Sequence, residues 1–577
     1  MTAGTPRPPV QAQLASAWAD FSQGRVKEAE AALRRLAAAE PCLGTPLHLL
    51  AAMRWQRDAA TAEMWLRRVL TLDPHNAAAL TALAATLKAA GRAAEGSRWL
   101  RMAVSLQPAD PGSLGNLGGM PAESSLRWCR RALCIDPYNV GLLLERYSLL
   151  LIQGDAERAA ADLEAVDQVV DPRIQAARIC TAFLLEDGPA AALALARQFN
   201  ERFARPLQPL RRYRLSSAVE RKLRIGYIGG DGFRHHTAAF TLIPTIEGHD
   251  RNTVEVFCYS DVPEARRDSI TERFVAASTR FRDVSGLPDE AVAEAIVEDQ
   301  IEVIIDSFGY PQRSRVLALA RRPAPLQIHW PLMGSLGLDA VDVVLGDRWI
   351  TPEGAESWFS EALVRLPFAF AYDQLRPLPD LGPAPSRDVV FGSFNQLAKL
   401  SRRTVRLWSR ILQAVPRSRL LLKTPGLADA EARSRVQALF SAEGADTDRI
   451  ELRPPTRGFE EHMASYADID IALDPTPYGG VITTLEAMWM GVPVVTLAGD
   501  RVLGRYGHAF VSVLGLSQLS AADEDDYVAK AVDLAEDGTG RAVLRTSLRE
   551  RMRASPICDG RAMAASIESA IRGMAKG

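Results

Sequence analysis

From Leu223 onward, short apolar runs alternate with helix-like segments in two consecutive series. The first series includes LRIGYIGGD, VEVFCYSD, IEVIIDSFG and DVVLGD. The second begins near Asp388 and includes DVVFGSFNQ, SRLLLKTPG, RIELRPP, IDIALDP and VPVVTL. Strands that alternate with helices form parallel sheets with helices on their faces. The pattern therefore predicts two doubly wound α/β domains of similar size.

Two such domains in succession define a cleft between them. In open parallel sheets, ligands bind beyond the carboxyl ends of the strands, so the cleft is the expected ligand site. This is the arrangement of the GT-B glycosyltransferases, and other two-domain nucleotide enzymes share it.

The region before Leu223 is helical in pattern and repetitive. A proline follows a helix-like run at spacings of 33, 34, 29 and 35 residues, at Pro41, Pro74, Pro108, Pro137 and Pro172. Turn residues divide the units at Gly24-Arg25, Asp58, Gly91-Arg92 and Gly154-Asp155, and a short, degenerate unit lies around Gly118-Gly119. A helix–turn–helix unit of about 34 residues resembles the tetratricopeptide repeat. Its concave face favours peptide binding, and a spacer or dimerisation arm is the alternative.

These patterns predict four regions: repeats over 1–180, a helical adaptor over 181–220, a first lobe over 221–380 and a second lobe over 381–577. With 577 residues, the chain is long enough for several cores.

Composition narrows the class of protein. Apolar residues make up 47% and charged residues 24%, which is typical of a globular chain, and a net charge of −2 argues against general nucleic-acid binding. Six cysteines without a CxxC pair favour a reducing compartment and disfavour a zinc site. The polar start and the absence of a long apolar stretch predict no secretory signal, no membrane span and a cytoplasmic location.

The second lobe holds a candidate phosphate site. Lys399 and the Asn395-Gln396 pair follow a predicted strand where a helix could begin, and an ammonium beside helix N–H groups can neutralise a diphosphate. An exposed surface lysine is the alternative. The Gly479-Gly480 turn leads to Thr483 and Thr484, whose hydroxyls and N–H groups could also bind phosphate.

Two further side chains suit a nucleotide. Glu486 lies on the first turn of the same predicted helix and could accept the paired hydroxyls of a ribose. His462 lies in a predicted helix before the strand IDIALDP and could stack on a nucleobase; a structural histidine is the alternative.

The first lobe offers a loop that would face the reacting group. GGDGFRHHTAAF contains Asp231, Arg234, His235 and His236 at the end of the first predicted strand. Adjacent histidines can bind a metal, but no set with ligand spacing accompanies them, so no metal is expected.

Several blocks in order resemble one family. RIGYIGGDGFRHHTAAF, VEVFCYSD, RRPAPLQIHW, FNQLAKL, EEHMASYADIDIALDPTPY and TTLEAMWMGVPVVTLAGD look like blocks of the bacterial, SPINDLY-like protein O-GlcNAc transferases, in which tetratricopeptide repeats precede a GT-B region. The match covers about residues 220–577, and the repeat region fits it as well.

The resemblance implies a metal-independent, inverting transfer of a sugar, most simply GlcNAc from UDP-GlcNAc, to Ser or Thr of a protein, with no cofactor. It implies that Lys399, with Gln396 beside it, holds the diphosphate and stabilises the leaving group. His462 would stack on the base. The phosphate oxygens would be bound at Gly480, Thr483 and Thr484, the ribose at Glu486 where the family usually has Asp, and His236 would lie near the sugar and acceptor hydroxyl.

The chain departs from the family pattern in four places. They are the altered WPLMGSLG segment, an extra Gly232, the apolar pair Val481-Ile482, and Phe459 where some relatives place a base-contacting lysine. The first and third would lie near the donor sugar.

These departures keep two alternatives open: a flagellin glycosyltransferase using a CMP-nonulosonic acid, and a repeat adaptor whose catalytic region has decayed. The expected partners are a protein acceptor, which could be flagellin, held by the repeats, a nucleotide sugar and a second copy of the chain.

Overall fold

The computed structural model describes residues 9–22, 25–55, 58–107, 110, 125–186, 188–210, 222–311, 313–330, 333–375, 378 and 388–574. The chain divides into two compact units, residues 1–149 with 263–265, and residues 150–262 with 266–577. The predicted domain boundaries near 220 and 380 lie outside the described residues and stay predictions.

The described part of the first unit is made up of helices. They are α1 Val10–Ser22, α2 Val26–Ala39, α3 Gly44–Arg54, α4 Ala59–Leu72, α5 Ala77–Ala89, α6 Ala93–Leu106, α7 Ser125–Ile135 and α8 Val140–Ile152, the last of which contains the boundary between units. Asp58 and Asn76 cap two of them by accepting hydrogen bonds from main-chain N–H groups of the first turn. Buried alanines such as Ala62 and Ala84 let neighbouring helices pack closely.

The turns of the predicted repeats are present where the structure describes them. Gly91 joins α5 to α6 with φ +78°, a conformation that favours glycine. Gly24, Pro108 and the Gly118-Gly119 unit lie outside the described residues.

The second unit begins with three helices, α9 Ala156–Glu164, α10 Pro172–Ala182 and α11 Gly188–Phe199, and a π-helical turn over Asn200–Ala204. Pro172 is the first residue of α10, where its missing N–H costs nothing, and Asp171 is the N-cap.

The first parallel sheet has the order β3-β2-β1-β4-β5-β6-β7. Its strands are β1 Leu223–Ile228, β2 Val254–Ser260, β3 Arg280–Asp283, β4 Val303–Asp306, β5 Leu326–His329, β6 Val343–Gly346 and β7 Ala362–Arg365. Its helices are α12 Ala239–Gly248, α13 Ser269–Ala277, α14 Asp289–Glu298 and α15 Val316–Ala320. Ile225, Tyr227, Ile304 and Ile305 are fully buried, as expected for strands covered on both faces.

The second parallel sheet has the order β10-β9-β8-β11-β12-β13. Its strands are β8 Val390–Ser393, β9 Arg419–Lys423, β10 Ile450–Arg453, β11 Ile471–Leu473, β12 Val494–Leu497 and β13 Ser520–Ala521. Its helices are α16 Arg402–Ala414, α17 Ala430–Ala442, α18 Gly458–Ala464, α19 Ile482–Trp489, α20 Tyr506–Val513, α21 Glu524–Glu536 and α22 Gly538–Arg553, and the last helix is α23 Gly560–Met574.

Both sheets reverse their strand order in the middle. The reversal lies between β1 and β4 in the first sheet and between β8 and β11 in the second. At such a point the two connections leave on opposite faces and open a crevice beyond the strand ends. The predicted fold class, helical repeats followed by two doubly wound domains, is therefore confirmed. Within the described residues, no helix is both long and apolar enough to cross a bilayer.

Candidate active site

Lys399 lies at the point where the second sheet reverses. β8 ends at Ser393, a 3₁₀ turn covers Leu397–Lys399, and α16 begins only at Arg402, three residues later than Lys399. The Lys399 ammonium donates to the Gly479 carbonyl at 2.9 Å and to Asn395 Oδ1 at 3.3 Å. It also lies 4.0 Å from the centre of the Tyr478 ring. The lysine is thus fixed against the glycine turn and is not a free surface side chain.

The surroundings of Lys399 lower the pKa of its ammonium group. Burial lowers the pKa of the ammonium to about 8, and the Asp474 carboxylate acts against this shift. Around neutral pH the group is still charged, in a site where water screens it poorly.

Asp474 organises the glycine turn. It follows β11, is buried, and accepts the Thr484 hydroxyl at 2.7 Å and the Gly480 N–H. A Cβ on Gly480 would lie 2.1 Å from Thr484 Oγ1 and 2.6 Å from Asp474 Oδ1, so only glycine fits. Burial raises the pKa of Asp474.

The two threonines differ in what they can offer. Thr483 donates its hydroxyl to Asn395 Oδ1 at 3.0 Å, on the same oxygen that Lys399 contacts. The Thr484 hydroxyl is directed inward to Asp474, so a phosphate would meet its N–H group rather than its hydroxyl. The main-chain N–H groups of residues 482–484 form the first turn of α19, where no helical carbonyl precedes them. Glu486 lies one turn further on, not in the first turn as the sequence suggested.

His462 and Glu486 form a second cluster beside this one. His462 Nε2 lies 3.3 Å from Glu486 Oε2, which also accepts the Tyr466 hydroxyl at 3.2 Å. Tyr466 further donates to the Thr483 carbonyl at 3.3 Å, which joins the two clusters. The His462 side chain keeps 31% of its surface exposed, whereas Glu486 is buried.

Gln396 is exposed next to this pair of clusters. Its carbonyl accepts the Lys399 N–H at 3.0 Å and so closes the 3₁₀ turn that carries the lysine.

His236 follows β1, at the point where the first sheet reverses. Its Nδ1 accepts the main-chain N–H of Ala238 at 3.2 Å, and its ring lies 5.7 Å from that of Phe308, which follows β4. Because Nδ1 accepts, the neutral ring carries its proton on Nε2. Burial, reinforced by the Arg234 guanidinium, lowers the pKa of His236 to about 4, so the ring is neutral at physiological pH.

The residues near His236 in the same loop form ion pairs and an aromatic contact. Asp231 pairs with Arg234 and Arg266, both at 3.1 Å. His235 meets Phe459 of α18 with ring centres 5.6 Å apart. Phe459 thus makes an aromatic contact between the two lobes.

The other departures from the family pattern lie in the following parts of the fold. Gly232 belongs to a 3₁₀ turn over Gly230–Phe233, and Ile482 opens α19. Of WPLMGSLG, residues 331–332 lie outside the described part. A Cβ on Gly334 would overlap the Phe183 ring, and one on Gly337 would overlap the α11 backbone, so this segment packs closely against the helices before the first sheet.

The structure brings together Lys399, Gly480, Thr483 and Thr484, and places His462 and Glu486 beside them. It does not link His236 to them by any contact. Among the described residues no group of three or more His, Cys, Asp or Glu side chains is placed to hold a metal.

Two residues of the site were not singled out from the sequence: Asp474 and Lys423. Lys423 ends β9 and lies 3.0 Å from His462 Nδ1. A signal for Lys423 was available, because the chain has only seven lysines and this one ends a strand of the second series. Asp474 directly follows another strand of that series.

Comparison with known proteins agrees with this geometry. The family model described as "Glycosyl transferase family 41" matches residues 207–379 and 380–567. The chain is 35% identical over 389 residues to a protein of Solanum lycopersicum named probable UDP-N-acetylglucosamine–peptide N-acetylglucosaminyltransferase SPINDLY, and 36% identical over 368 residues to its Arabidopsis thaliana namesake. These matches cover 66% and 62% of this chain, and the chain spans only about two fifths of either relative, 41% and 40%.

A solved structure extends the likeness to nearly the whole chain. A mutant of the Thermobaculum terrenum O-GlcNAc transferase is 33% identical, with a TM-score of 0.75, over 92% of this chain and 97% of that one. These similarities confirm the resemblance stated from the sequence and give no support to the flagellin or CMP-nonulosonate alternatives. With two doubly wound lobes and a family match over most of its length, the chain belongs to glycosyl transferase family 41.

Proposed function

We propose that this protein transfers N-acetylglucosamine from UDP-N-acetylglucosamine to a serine or threonine hydroxyl of another protein. The names of the SPINDLY relatives and of the Thermobaculum enzyme describe such a transfer or such a donor. Membership of a glycosyl transferase family supports the class of reaction.

The observation that carries the proposal is the charge at the reversal of the second sheet. An ammonium, a glycine turn and the free N–H groups that open α19 converge at one strand edge, around Asn395. Each of these groups stabilises negative charge, and together they suit the diphosphate of a nucleotide sugar.

The chemistry requires this charge when the leaving group departs. The acceptor oxygen forms a bond to the anomeric carbon as the bond from that carbon to the diphosphate breaks. The electron pair of the broken bond remains on the phosphate oxygen, and the hydroxyl proton passes to the released diphosphate or to water. Lys399 and the start of α19 would stabilise that developing charge, the role a divalent cation has in other transferases. Attack from the opposite side inverts the anomeric centre.

His236 suits a different role from that of a base. Its Nε2 carries the proton, since Nδ1 accepts from Ala238. The ring would therefore donate a hydrogen bond to an oxygen of the sugar or the phosphate, and its low basicity would keep it neutral while doing so.

Transfer can be tested with labelled UDP-N-acetylglucosamine and a cell lysate. The wild-type protein should label particular proteins, and Lys399→Met should lower the rate about 100-fold or more, because it removes the cation at the leaving group. Lys530→Met is the matched control: this lysine lies in the same lobe on α21 and pairs with Asp526.

Three results would count against the proposal. They are undiminished labelling by Lys399→Met, loss of labelling on addition of a chelator, and tighter binding of CMP than of UDP in parallel calorimetry. The last would revive the CMP-nonulosonate donor. Tight partner binding with no nucleotide binding would instead indicate an adaptor.

A further inference from the structure

A second lysine lies in the interior next to the candidate nucleotide site. Lys423 is the last residue of β9, the strand beside β8, and only 2% of its surface is exposed. Its ammonium lies 5.1 Å from the centre of the Phe394 ring. A lysine is rarely buried without a partner, so its position calls for a reason.

The partner is His462, through the ring nitrogen that faces away from Glu486. Lys423 Nζ lies 3.0 Å from His462 Nδ1. An ammonium has three hydrogens and no lone pair, so it can only donate, and Nδ1 must accept. The neutral ring then carries its proton on Nε2, which faces Glu486 Oε2 at 3.3 Å.

Both ring nitrogens therefore have a partner, the Lys423 ammonium at Nδ1 and the Glu486 carboxyl group at Nε2. Rotation of the ring by 180° about χ2 would put the Cδ2–H group in the place of Nδ1 and the Cε1–H group in the place of Nε2, so both hydrogen bonds would be lost. Part of the imidazole stays open: the His462 side chain is 31% exposed, and the Phe394 and Tyr466 rings pack beside it with centres 5.9 and 5.8 Å away.

We propose that Lys423 is a positioning residue: it fixes the tautomer and the orientation of His462 so that the imidazole presents a face, not a nitrogen, to the nucleobase. The stacking of a nucleobase on that face rests on the function proposed above. Lys423 itself acts through His462 and needs no contact with the nucleotide.

Charged groups from several elements surround Lys423. They are Arg453 on β10, Glu461 on α18, Asp468 before β11 and Glu486 on α19. Burial, and after it the Arg453 guanidinium, lowers the pKa of Lys423 to about 8, and the three carboxylates act in the opposite direction. Above that pH the ammonium loses its proton, and the constraint on Nδ1 weakens.

Nitrogen-15 NMR of histidine-labelled protein without nucleotide tests the proposal directly, since the two tautomers differ in their ring nitrogen shifts. The His462 signals are assigned by their loss in His462→Gln. At about neutral pH the wild type and Lys423→Arg, which keeps a donor, should show the proton on Nε2. Lys423→Met should show a mixture of tautomers.

Calorimetry with UDP gives the second readout. Lys423→Met should weaken binding about tenfold, Lys423→Arg should restore most of it, and Lys530→Met should match the wild type. A wild-type His462 with its proton on Nδ1 would overturn the proposal without any variant at Lys423. So would Lys423→Met with an unchanged tautomer, or with wild-type affinity for UDP.

The two hypotheses fail separately. If the wild type bound no UDP, the proposed function would fall, and the NMR result would still decide whether Lys423 sets the tautomer.

Discussion

At the scale of single residues, the candidate site depends on two lysines in a chain that has only seven. Lys399 contacts main-chain and amide oxygens, whereas Lys423 contacts an imidazole. Burial lowers the pKa of both to about 8. A buried cation that stays charged near neutrality can bind an anion. Binding then costs less desolvation energy, because the cation is already partly desolvated.

UDP affinity should therefore depend on pH in the alkaline range. A cation's contribution is present below its pKa and lost as the pH rises through it, so affinity should be constant near neutrality and fall above about pH 8. Lys399→Arg should make this fall shallower, because a guanidinium remains charged and only Lys423 still titrates. Calorimetry across the pH range measures both profiles, and identical profiles would show that Lys399 is not the group responsible.

At the scale of elements, the turn that carries Lys399 is supported by the turn between α8 and α9. Gly154, with φ +79°, lies against Leu397. A Cβ there would come within 2.8 Å of Leu397 Cβ and 2.9 Å of its carbonyl oxygen. On the far side, Arg435 donates to the Gly154 carbonyl and pairs with Asp155. The position of the lysine thus depends on a helical turn far away in the sequence.

Gly154→Ala should displace Leu397–Lys399 and lower the transfer rate about tenfold to 100-fold, as small misplacements of catalytic groups do. Gly91→Ala is the matched control, because Gly91 has φ +78° in the equivalent turn between α5 and α6 and nothing within 4 Å of an added Cβ. Both variants should lose about 1 kcal/mol of stability from the left-handed backbone. Equal transfer rates in the two would refute the support role.

At the scale of the whole molecule, the second unit is joined by its last helix. α23 follows the second sheet in the chain but packs on α12 of the first. There Glu568 Oε1 and His249 Nδ1 are 2.8 Å apart, and His249 Nε2 meets the Tyr227 hydroxyl at 2.7 Å, all of them buried. Burial is the largest single influence and would raise the pKa of Glu568, but His249, the Asp250 N–H and the Arg572 guanidinium together outweigh it, so the pKa is lowered.

Glu568→Gln should lower the unfolding temperature by about 2–4 °C at neutral pH, since it removes a buried charge-assisted hydrogen bond. Because the folded-state pKa is lowered, the stabilisation is present above the ordinary carboxyl pKa and lost as the pH falls through the folded value. The difference in unfolding temperature between wild type and variant should therefore disappear only at acidic pH. Scanning calorimetry measures this, with the exposed Glu550→Gln as control; a difference that is the same at every pH would contradict the assignment.

Much of the fold could be predicted from the sequence because its signals are local. Apolar runs ending in glycine or aspartate marked the strands, and strand ends are where ligands bind in parallel sheets. That placed Lys399, the Gly480 turn and His236 at strand ends. The chemical role of each of these residues stays a prediction.

The details that local patterns could not reveal are those that join distant segments. Lys423 and Glu486 are 39 and 24 residues from His462 in sequence, and only the order of strands in the sheet brings them to its two nitrogens. The inward turn of the Thr484 hydroxyl depended in the same way on Asp474, across a turn of the chain.

The sequence by itself determined the fold class, the repeats and the strand ends where a nucleotide would bind, because side-chain periodicity and turn residues act over a few positions. Only the tertiary structure decided which hydrogen bonds those side chains make, which tautomers the histidines adopt and how far each lysine's pKa is lowered. Those properties depend on distances of 3–4 Å between groups far apart in the chain, and on how completely packing excludes water from them.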